Sequence, residues 1–461
     1  MKSYNSAYII GITLVATLGG LLFGYDTAVI SGAEKSIQHN LIEPLGLGAF
    51  AHGATVSSAL IGCILGGAIS GLLSNRLGRK RTLQLAGFLF FTSALGSGYP
   101  EFLFFERGEA SISLLYMFNF YRVWGGIGVG LASAVSPTYI GEIAPAEIRG
   151  RLVSFNQFAI IFGMLVVYFV NWGIANGQTT EWVHETGWRY MFASEAIPAG
   201  LFFILLFFVP ETPRYLALIN QEEKALGVLK KINTSADHAK SILAEITATV
   251  SDTAKSKIFS YGKKVIIIGI LLSVFQQFVG INVVLYYAPR IFESMGVARD
   301  ASMLQTIVMG LVNVIFTVVA ILTVDKWGRK PLLVTGSIGM AIGMIAMSIL
   351  SYMNIFSVLT LVFIIIFTAS FMMSWGPICW VYISELFPNK IRGQAVAVAV
   401  AFQWFANFVI SSTYPGMMQF SSAFTYGFYG AMAILSAIFV WKMVPETKGK
   451  SLEEIEKIWK Q

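Results

Sequence analysis

Asn75-Arg76-Leu77-Gly78-Arg79-Lys80 and Asp325-Lys326-Trp327-Gly328-Arg329-Lys330 are two copies of one polar turn, 250 residues apart in a chain of 461. Each copy follows one long apolar run and precedes another, so each joins two antiparallel elements. Two further stretches return in the same order. Glu142-Ile143-Ala144-Pro145-Ala146-Glu147-Ile148-Arg149-Gly150 recurs as Glu385-Leu386-Phe387-Pro388-Asn389-Lys390-Ile391-Arg392-Gly393, and Pro210-Glu211-Thr212-Pro213-Arg214 as Pro445-Glu446-Thr447-Lys448-Gly449. The offsets of 250, 243 and 235 are nearly constant, which marks an internal duplication. The chain reads as two similar halves in parallel repeat, with a binding site between them near the midplane of a membrane.

The membrane follows from composition. With 56% hydrophobic and 12% charged residues and a mean hydropathy of +0.68, there are too few polar side chains to cover a soluble body of this size. Twelve apolar stretches lie near 7–32, 50–73, 82–99, 112–141, 152–175, 188–209, 264–288, 301–324, 332–352, 356–380, 394–415 and 423–444. Each is long enough to cross as a helix, which takes about 20 residues. The expected fold is therefore an all-α membrane protein of twelve transmembrane helices in two six-helix halves. Its divisions are 1–209, a cytoplasmic linker 210–263, 264–444, and a C-terminal helix 445–461. The linker carries Leu226, Leu229, Ile232, Ile242 and Ile246 at helical spacing, and the C-terminus repeats the pattern with Leu452, Ile455 and Trp459. Short amphipathic helices under the membrane are expected in both.

The net charge of +7 does not point to nucleic acid, because its distribution follows the bilayer. With the N-terminus inside, 26 of the 32 Lys and Arg fall on inner segments, and the outer loops keep Lys35, Arg107, Arg189, Arg290 and Arg299. Both termini are then cytoplasmic. Cys63 and Cys379 fall inside spans far apart in sequence, so no disulfide framework is expected. His39, His52, His184 and His238 sit in loops or at span ends without ligand spacing, and neither metal nor cofactor is expected. The first apolar run is too long for the core of a signal peptide. Gly126-Ile127-Gly128-Val129-Gly130 approximates a dinucleotide fingerprint, but it follows no strand and reads as helix packing by small residues. No loop gathers a nucleophile, base and acid, so the chain is not read as an enzyme.

Polar residues inside the spans carry the function. Asp26 ends the run Gly19-Gly20-Leu21-Leu22-Phe23-Gly24-Tyr25-Asp26. A charged carboxylate at the membrane centre costs about 2.5 to 3.5 kcal/mol even on the insertion scale, so it must face a cavity, a partner or a proton. Arg122 in the fourth span is the natural partner, since an unpaired guanidinium there is equally unfavourable. Asp26 is thus either the proton site of a transporter or a structural ion pair. Glu195 in the sixth span is a second carboxylate, or else an interfacial one. The other buried polar residues are mostly amides: Gln157, Gln276, Gln277, Asn282, Gln403 and Asn407. An amide donates and accepts without charge, as the hydroxyls of a neutral polyol do. Amides can also simply join helices, at about 0.6 kcal/mol each. On a straight helix Gln276, Gln277 and Asn282 point in different directions, but unwinding at Gly280 would bring Asn282 toward the other two. Phe23, Trp380 and Trp404 can stack on the C–H face of a sugar.

The runs GLLFGYDTAVISG, YRVWGGIGVGLAS, IRGRLVSFNQFAIIFG, SVFQQFVGINVVLYYAP, SWGPICWVYISELFP and PETKGKSLEE together resemble the sugar porters of the major facilitator superfamily, over nearly the whole chain. Taken alone, D-x-x-G-R-K marks only the superfamily; the ordered set is specific to sugar porters. The resemblance is closest to bacterial D-xylose:proton members. It implies proton-coupled uptake of a neutral monosaccharide, D-xylose first, across the bacterial cytoplasmic membrane by alternating access. The implied partners are the sugar, the proton and the bilayer, with a monomer as the working unit. The sugar contacts it implies are Gln157, Gln276, Gln277, Asn282, Trp380 and Gln403, with Tyr286 in the outer gate. It also supports the Asp26–Arg122 pair, and implies an inner latch across the halves, Glu142 with Arg392 and Arg149 with Glu385, beside Arg329. One position departs: the closest members continue FNQFAIIFGQ where this chain ends in Met164. One polar contact worth about 0.5 to 1.5 kcal/mol is lost there, which leaves pentose against hexose open. Facilitated diffusion without a proton and a non-transporting sugar sensor are the alternatives. Asp26 disfavours the first, and the short C-terminal segment disfavours the second.

Overall fold

In hydrocarbon every backbone N–H and C=O must find its partner within the chain, and an apolar run solves this by coiling into a helix. The structure, a computed structural model, describes residues 4–448 except 103, 107–108, 146–147, 252–257, 295, 356–357 and 389–390. Its first half contains α1 (Ser6–Ile37), α2 (Ser58–Leu77), α3 (Arg79–Gly98), α4 (Ile112–Ile143), α5 (Arg149–Ala175) and α6, which is Trp188–Ser194 and Ala196–Leu205 divided at Glu195. The second half contains α7 in three pieces (Lys263–Phe278, Ile281–Tyr286 and Ala288–Ser294), α8 (Arg299–Trp327), α9 (Arg329–Tyr352), α10 (Val358–Met373 and Trp375–Leu386), α11 (Arg392–Phe420) and α12 (Ser422–Met443). Polar residues start them: the side chains of Asn5, Ser111 and Ser421 accept the N–H groups of Tyr8, Leu114 and Phe424.

The stretch read as one span from residue 50 is two helices. A short helix, Ala49–Val56, precedes α2, and the chain turns at Ser57. The Ser57 hydroxyl donates to the Gly53 carbonyl at 2.7 Å and meets the Ser412 hydroxyl of α11 at 2.6 Å, so the turn is fixed from the other half. The tenth span runs on to Leu386, beyond the expected residue 380. The expected C-terminal helix lies outside the described residues after Lys448.

Packing repeats with the sequence. In the first half α1 lies on α5, α2 on α4, and α3 on α4 and α6; in the second, α7 lies on α11, α8 on α10, and α9 on α10 and α12. The halves meet through α2 with α11 and α5 with α8. Small residues permit the closest crossings. A Cβ on Gly126 would stand 1.9 Å from the Ala59 carbonyl oxygen, so this glycine lets α4 seat on α2.

Three helices, Pro213–Leu218, Glu222–Ile232 and Ala236–Ser251, connect the halves at one end of the bundle. The N-terminus joins them there: Asn5 N–H donates to the Ile232 carbonyl at 2.8 Å. Both repeated turns lie at this linker end. The Glu211 carboxylate accepts the backbone N–H groups of Arg79, Lys80 and Thr212, and Glu446 accepts those of Arg329, Lys330 and Thr447. A carboxylate at a helix N-terminus satisfies orphan donors and the dipole together. Burial nonetheless raises the Glu211 carboxyl above its ordinary value, against the lowering effect of those N–H groups and of Arg79.

Candidate functional site

Between the halves, α1, α5, α7, α10 and α11 enclose a cavity of about 80 Å³. The breaks in two helices make it. Gly280 adopts φ 90° and ψ 16°, a left-handed conformation that favours glycine, and α7 ends at Phe278 and restarts at Ile281. The restart turns Asn282 back toward the amides one turn earlier. Its Nδ2 donates to Gln277 Oε1, Gln277 Nε2 donates to Gln276 Oε1 at 3.2 Å, and Gln276 Nε2 donates to the Trp375 carbonyl at 2.9 Å. Gln403 of α11 also donates to Gln276 Oε1. α10 breaks at Ser374 and restarts at Trp375; the Trp375 and Gly376 carbonyls accept from Gln276, and Trp380 reaches the wall.

All eight residues expected at a sugar site line this cavity: Phe23, Gln157, Gln276, Gln277, Asn282, Trp380, Gln403 and Trp404. Phe23 of α1 leans on Trp404 of α11, ring centroids 5.5 Å apart. Tyr286 and Met164 also line it, and Asn407 donates to the Tyr286 hydroxyl at 3.2 Å. Two buried polar atoms in the wall, Gln403 Oε1 and Trp404 Nε1, have no protein partner. Buried polar atoms are normally paired, so an unpaired acceptor and donor suit a ligand rich in hydroxyls. No lining side chain is charged. Thr27, Phe371, Met372 and Gly376 are lining residues that the sequence reading does not single out; they sit in apolar runs and carry no signal of their own. A larger groove of about 460 Å³ between α9 and α12 is lined by Ser337 and by alanine and isoleucine side chains. Isoleucines of that wall, such as Ile338 and Ile342, are half exposed on the outside of the bundle, which is a surface for lipid rather than for a polyol.

One residue from the cavity wall, beside Thr27, stands a buried ion pair. Arg122 Nη1 donates to Asp26 Oδ1 at 2.8 Å and Nη2 to the Asp26 carbonyl at 3.2 Å. Asp26 is 0% exposed and Arg122 2%, and the guanidinium lies 5.2 Å from the Phe192 ring. Glu195 lies inside the first half. It is 1% exposed, at the division of α6, and lies near Asp26. Asp26 Oδ2, Arg122 Nε and Glu195 Oε1 have no protein partner. Two carboxyl groups thus lie about one guanidinium in a buried site.

The expected gate residues pair differently. At the linker end Arg79 bonds Glu142 at 2.9 Å and Arg329 bonds Glu385 at 2.9 Å, each within its own half. Thr212 and Thr447 donate to the same two carboxylates, at 2.6 and 2.7 Å. Arg149 is exposed and, among the described residues, donates to the Ala144 carbonyl at 3.5 Å; the side chain of Arg392 lies outside the described residues. Glu142 and Glu385 thus each bond an arginine of their own half, and the expected pair of Glu142 with Arg392 falls on a side chain outside the described residues. The reason is proximity: Arg79 and Arg329 begin α3 and α9 beside the carboxylates of their own half. Both ion pairs that join the halves among the described residues lie at the opposite, distal end. These are Lys35 with Glu293 and Glu34 with Arg290. Arg299 adds donations to Thr180 and the Gln178 carbonyl. Charge alternation across residues 260 apart leaves no signal in the sequence.

The model of the family described as Sugar (and other) transporter matches residues 12–459. The D-xylose-proton symporter of Escherichia coli (strain K12) is 52% identical over 477 residues, covering 99% of this chain and 96% of that protein. The solved inward open conformation of the xylose transporter XylE from E. coli superposes with a TM-score of 0.89 at 50% identity, covering 98% of this chain and 100% of that one. The same transporter bound to 6-bromo-6-deoxy-D-glucose gives 0.83 at 50% identity, over 99% and 100%.

Proposed function

The chain belongs to the sugar transporter family, and we propose that it carries a neutral monosaccharide, D-xylose before D-glucose, into the cell together with a proton. One observation carries this reading: a buried Asp26–Arg122 pair adjoins an uncharged, amide-lined cavity between two similar halves. The linker end, with its repeated basic turns, faces the cytoplasm and the distal end the outside, as the positive-inside rule requires. The protein works as a monomer in the bacterial cytoplasmic membrane.

The cavity recognises hydroxyls through Gln157, Gln276, Gln277, Asn282 and Gln403, and apolar sugar faces through Phe23, Trp380 and Trp404. Tyr286, held by Asn407, closes its distal side. Asp26, Glu195 and Arg122 are neutral as a group when one carboxyl holds a proton. With both carboxyls ionised the cluster has a net negative charge, which is unfavourable where water is excluded. As the halves rock, a local bend of α1 within the first half alters the Arg122–Asp26 contact and exposes the proton to one side at a time. In the outward-facing state Glu142 and Glu385 exchange partners to Arg392 and Arg149, which latches the inner side.

The test is uptake by purified protein in liposomes, with a panel of sugars and an imposed pH gradient. Uphill D-xylose accumulation with sugar-induced proton entry is expected. Sugar that equilibrates without accumulating, and moves no proton, would assign facilitated diffusion instead.

A further inference from the structure

The distal end holds a buried ionic cluster that the transport site does not use. Glu34, near the end of α1, is 1% exposed, and His52, in the helix Ala49–Val56, is 2% exposed. Glu34 Oε1 lies 3.0 Å from Arg290 Nε and Oε2 lies 3.2 Å from His52 Nε2. Glu34 and His52 belong to the first half; Arg290 belongs to the second and also donates to Gln38. His52 Nε2 stands 3.2 Å from the Glu34 carbonyl oxygen as well. Both neighbours are acceptors, so Nε2 carries the hydrogen and Nδ1 is the ring nitrogen without one.

The other charged and titratable groups around His52 do not compete for this role. Tyr287 stands edge-on to its ring at 6.3 Å and stacks on Tyr414 of α11. Lys35 and Glu293 pair with each other. His39 pairs with Glu43 at 3.8 Å and stacks on His184, which burial, His39, Lys35 and Arg299 together hold below the ordinary histidine range. In the closed seam the Glu34 carboxylate therefore has one permanent cation, and it comes from the opposite half. When the halves part, Arg290 leaves and Glu34 keeps only a neutral imidazole. A proton on Nδ1 restores the balance.

We infer that His52 is a second proton site, loaded from the outside when Arg290 leaves Glu34 and unloaded to the same side when the halves close. The inference rests on the alternating-access reading above. Because the proton returns to the side it came from, it does not cross the membrane, and the number of protons moved per sugar is unchanged. Outward opening becomes easier in acid, by up to about tenfold per pH unit for one linked proton.

The chain has four histidines, so imidazole NMR on full-length, histidine-labelled protein resolves them, with His52 identified by the signal lost in His52→Gln. Arg290→Gln mimics opening and should raise the proton affinity of His52 at least about tenfold. Glu34→Gln, which leaves Arg290 in place, should lower it. Opening itself is read by spin labels on cysteines placed at exposed Asn176 and Tyr352, at the distal ends of α5 and α9, since Cys63 and Cys379 are buried. In an Asp26→Asn background, acid should populate the longer distance when His52 is present and not in His52→Gln. An imidazole signal that is the same in wild type and both variants, or an acid response that survives in His52→Gln, would overturn the proposal. Neither readout involves sugar, so failure of proton-driven accumulation in liposomes would remove the symport reading and leave this result standing.

Discussion

The two halves are alike at the linker end and unlike at the midplane. At the linker end the same bonds occur twice: arginine to glutamate, threonine hydroxyl to that glutamate, and a second glutamate accepting the N–H groups of a helix start. Even the tyrosines match, with Tyr139 donating to the Pro210 carbonyl at 2.7 Å and Tyr382 to the Pro445 carbonyl at 2.6 Å. At the midplane the first half holds Asp26, Arg122 and Glu195, while the second holds Gln276, Gln277, Asn282 and Gln403. Duplication kept the scaffold that positions helices. The proposed tasks then divided, with proton handling in one half and most sugar contacts in the other.

If that division is real, Asp26→Asn has the largest effect. The amide keeps the shape and removes the titrating group, so accumulation is lost while sugar binding and counterflow survive. A proton crossing 100 mV supplies about 2.3 kcal/mol, close to a fifty-fold gradient, and that gradient is what the assay should miss. Accumulation that still follows the pH gradient in this variant would dissolve the division.

Alanine at Gln277 or Gln403 should act in the opposite sense, weakening sugar binding by about 1 to 3 kcal/mol where a hydroxyl is left unpaired. Calorimetry on each variant measures it, and unchanged affinity would reduce these amides to contacts between helices. The repeated scaffold is tested by Glu142→Gln and Glu385→Gln. Each should lower stability by about 1 to 2 kcal/mol, and by similar amounts, as thermal unfolding in detergent would record. A large effect in one half alone would deny the equivalence.

The partner exchange proposed for the outward-facing state predicts that Glu385→Arg favours the inward-open form about tenfold, near 1.4 kcal/mol. Adding Arg149→Glu should restore the balance, read by cysteine accessibility on the inner face; no rescue would reject the latch. Smallest is Met164→Gln. Met164 lines the cavity at 8% exposure, and a glutamine there should tighten D-xylose binding by about 0.5 to 1.5 kcal/mol. Calorimetry with pentoses and hexoses would show whether the position selects between them.

The amino-acid sequence by itself determined the helices, their number, the duplication and the residue types at the midplane. Those features depend on short-range physics: an apolar run of membrane length must coil, and Asp26 in such a run must find a partner. It also pointed to the break at Gly280, because only unwinding there could aim Asn282 at Gln277. Tertiary structure alone decided who meets whom. Glu195 reaches Asp26 only because α6 packs beside α1 with its division at that depth. Glu142 and Glu385 bond Arg79 and Arg329 of their own halves, a pairing the sequence reading did not expect. Glu34, His52 and Arg290 come together from three separate segments, two of them more than 200 residues apart. Such contacts depend on how two nearly rigid halves are placed. That placement changes between states separated by a few kcal/mol, so one sequence must be compatible with more than one set of partners.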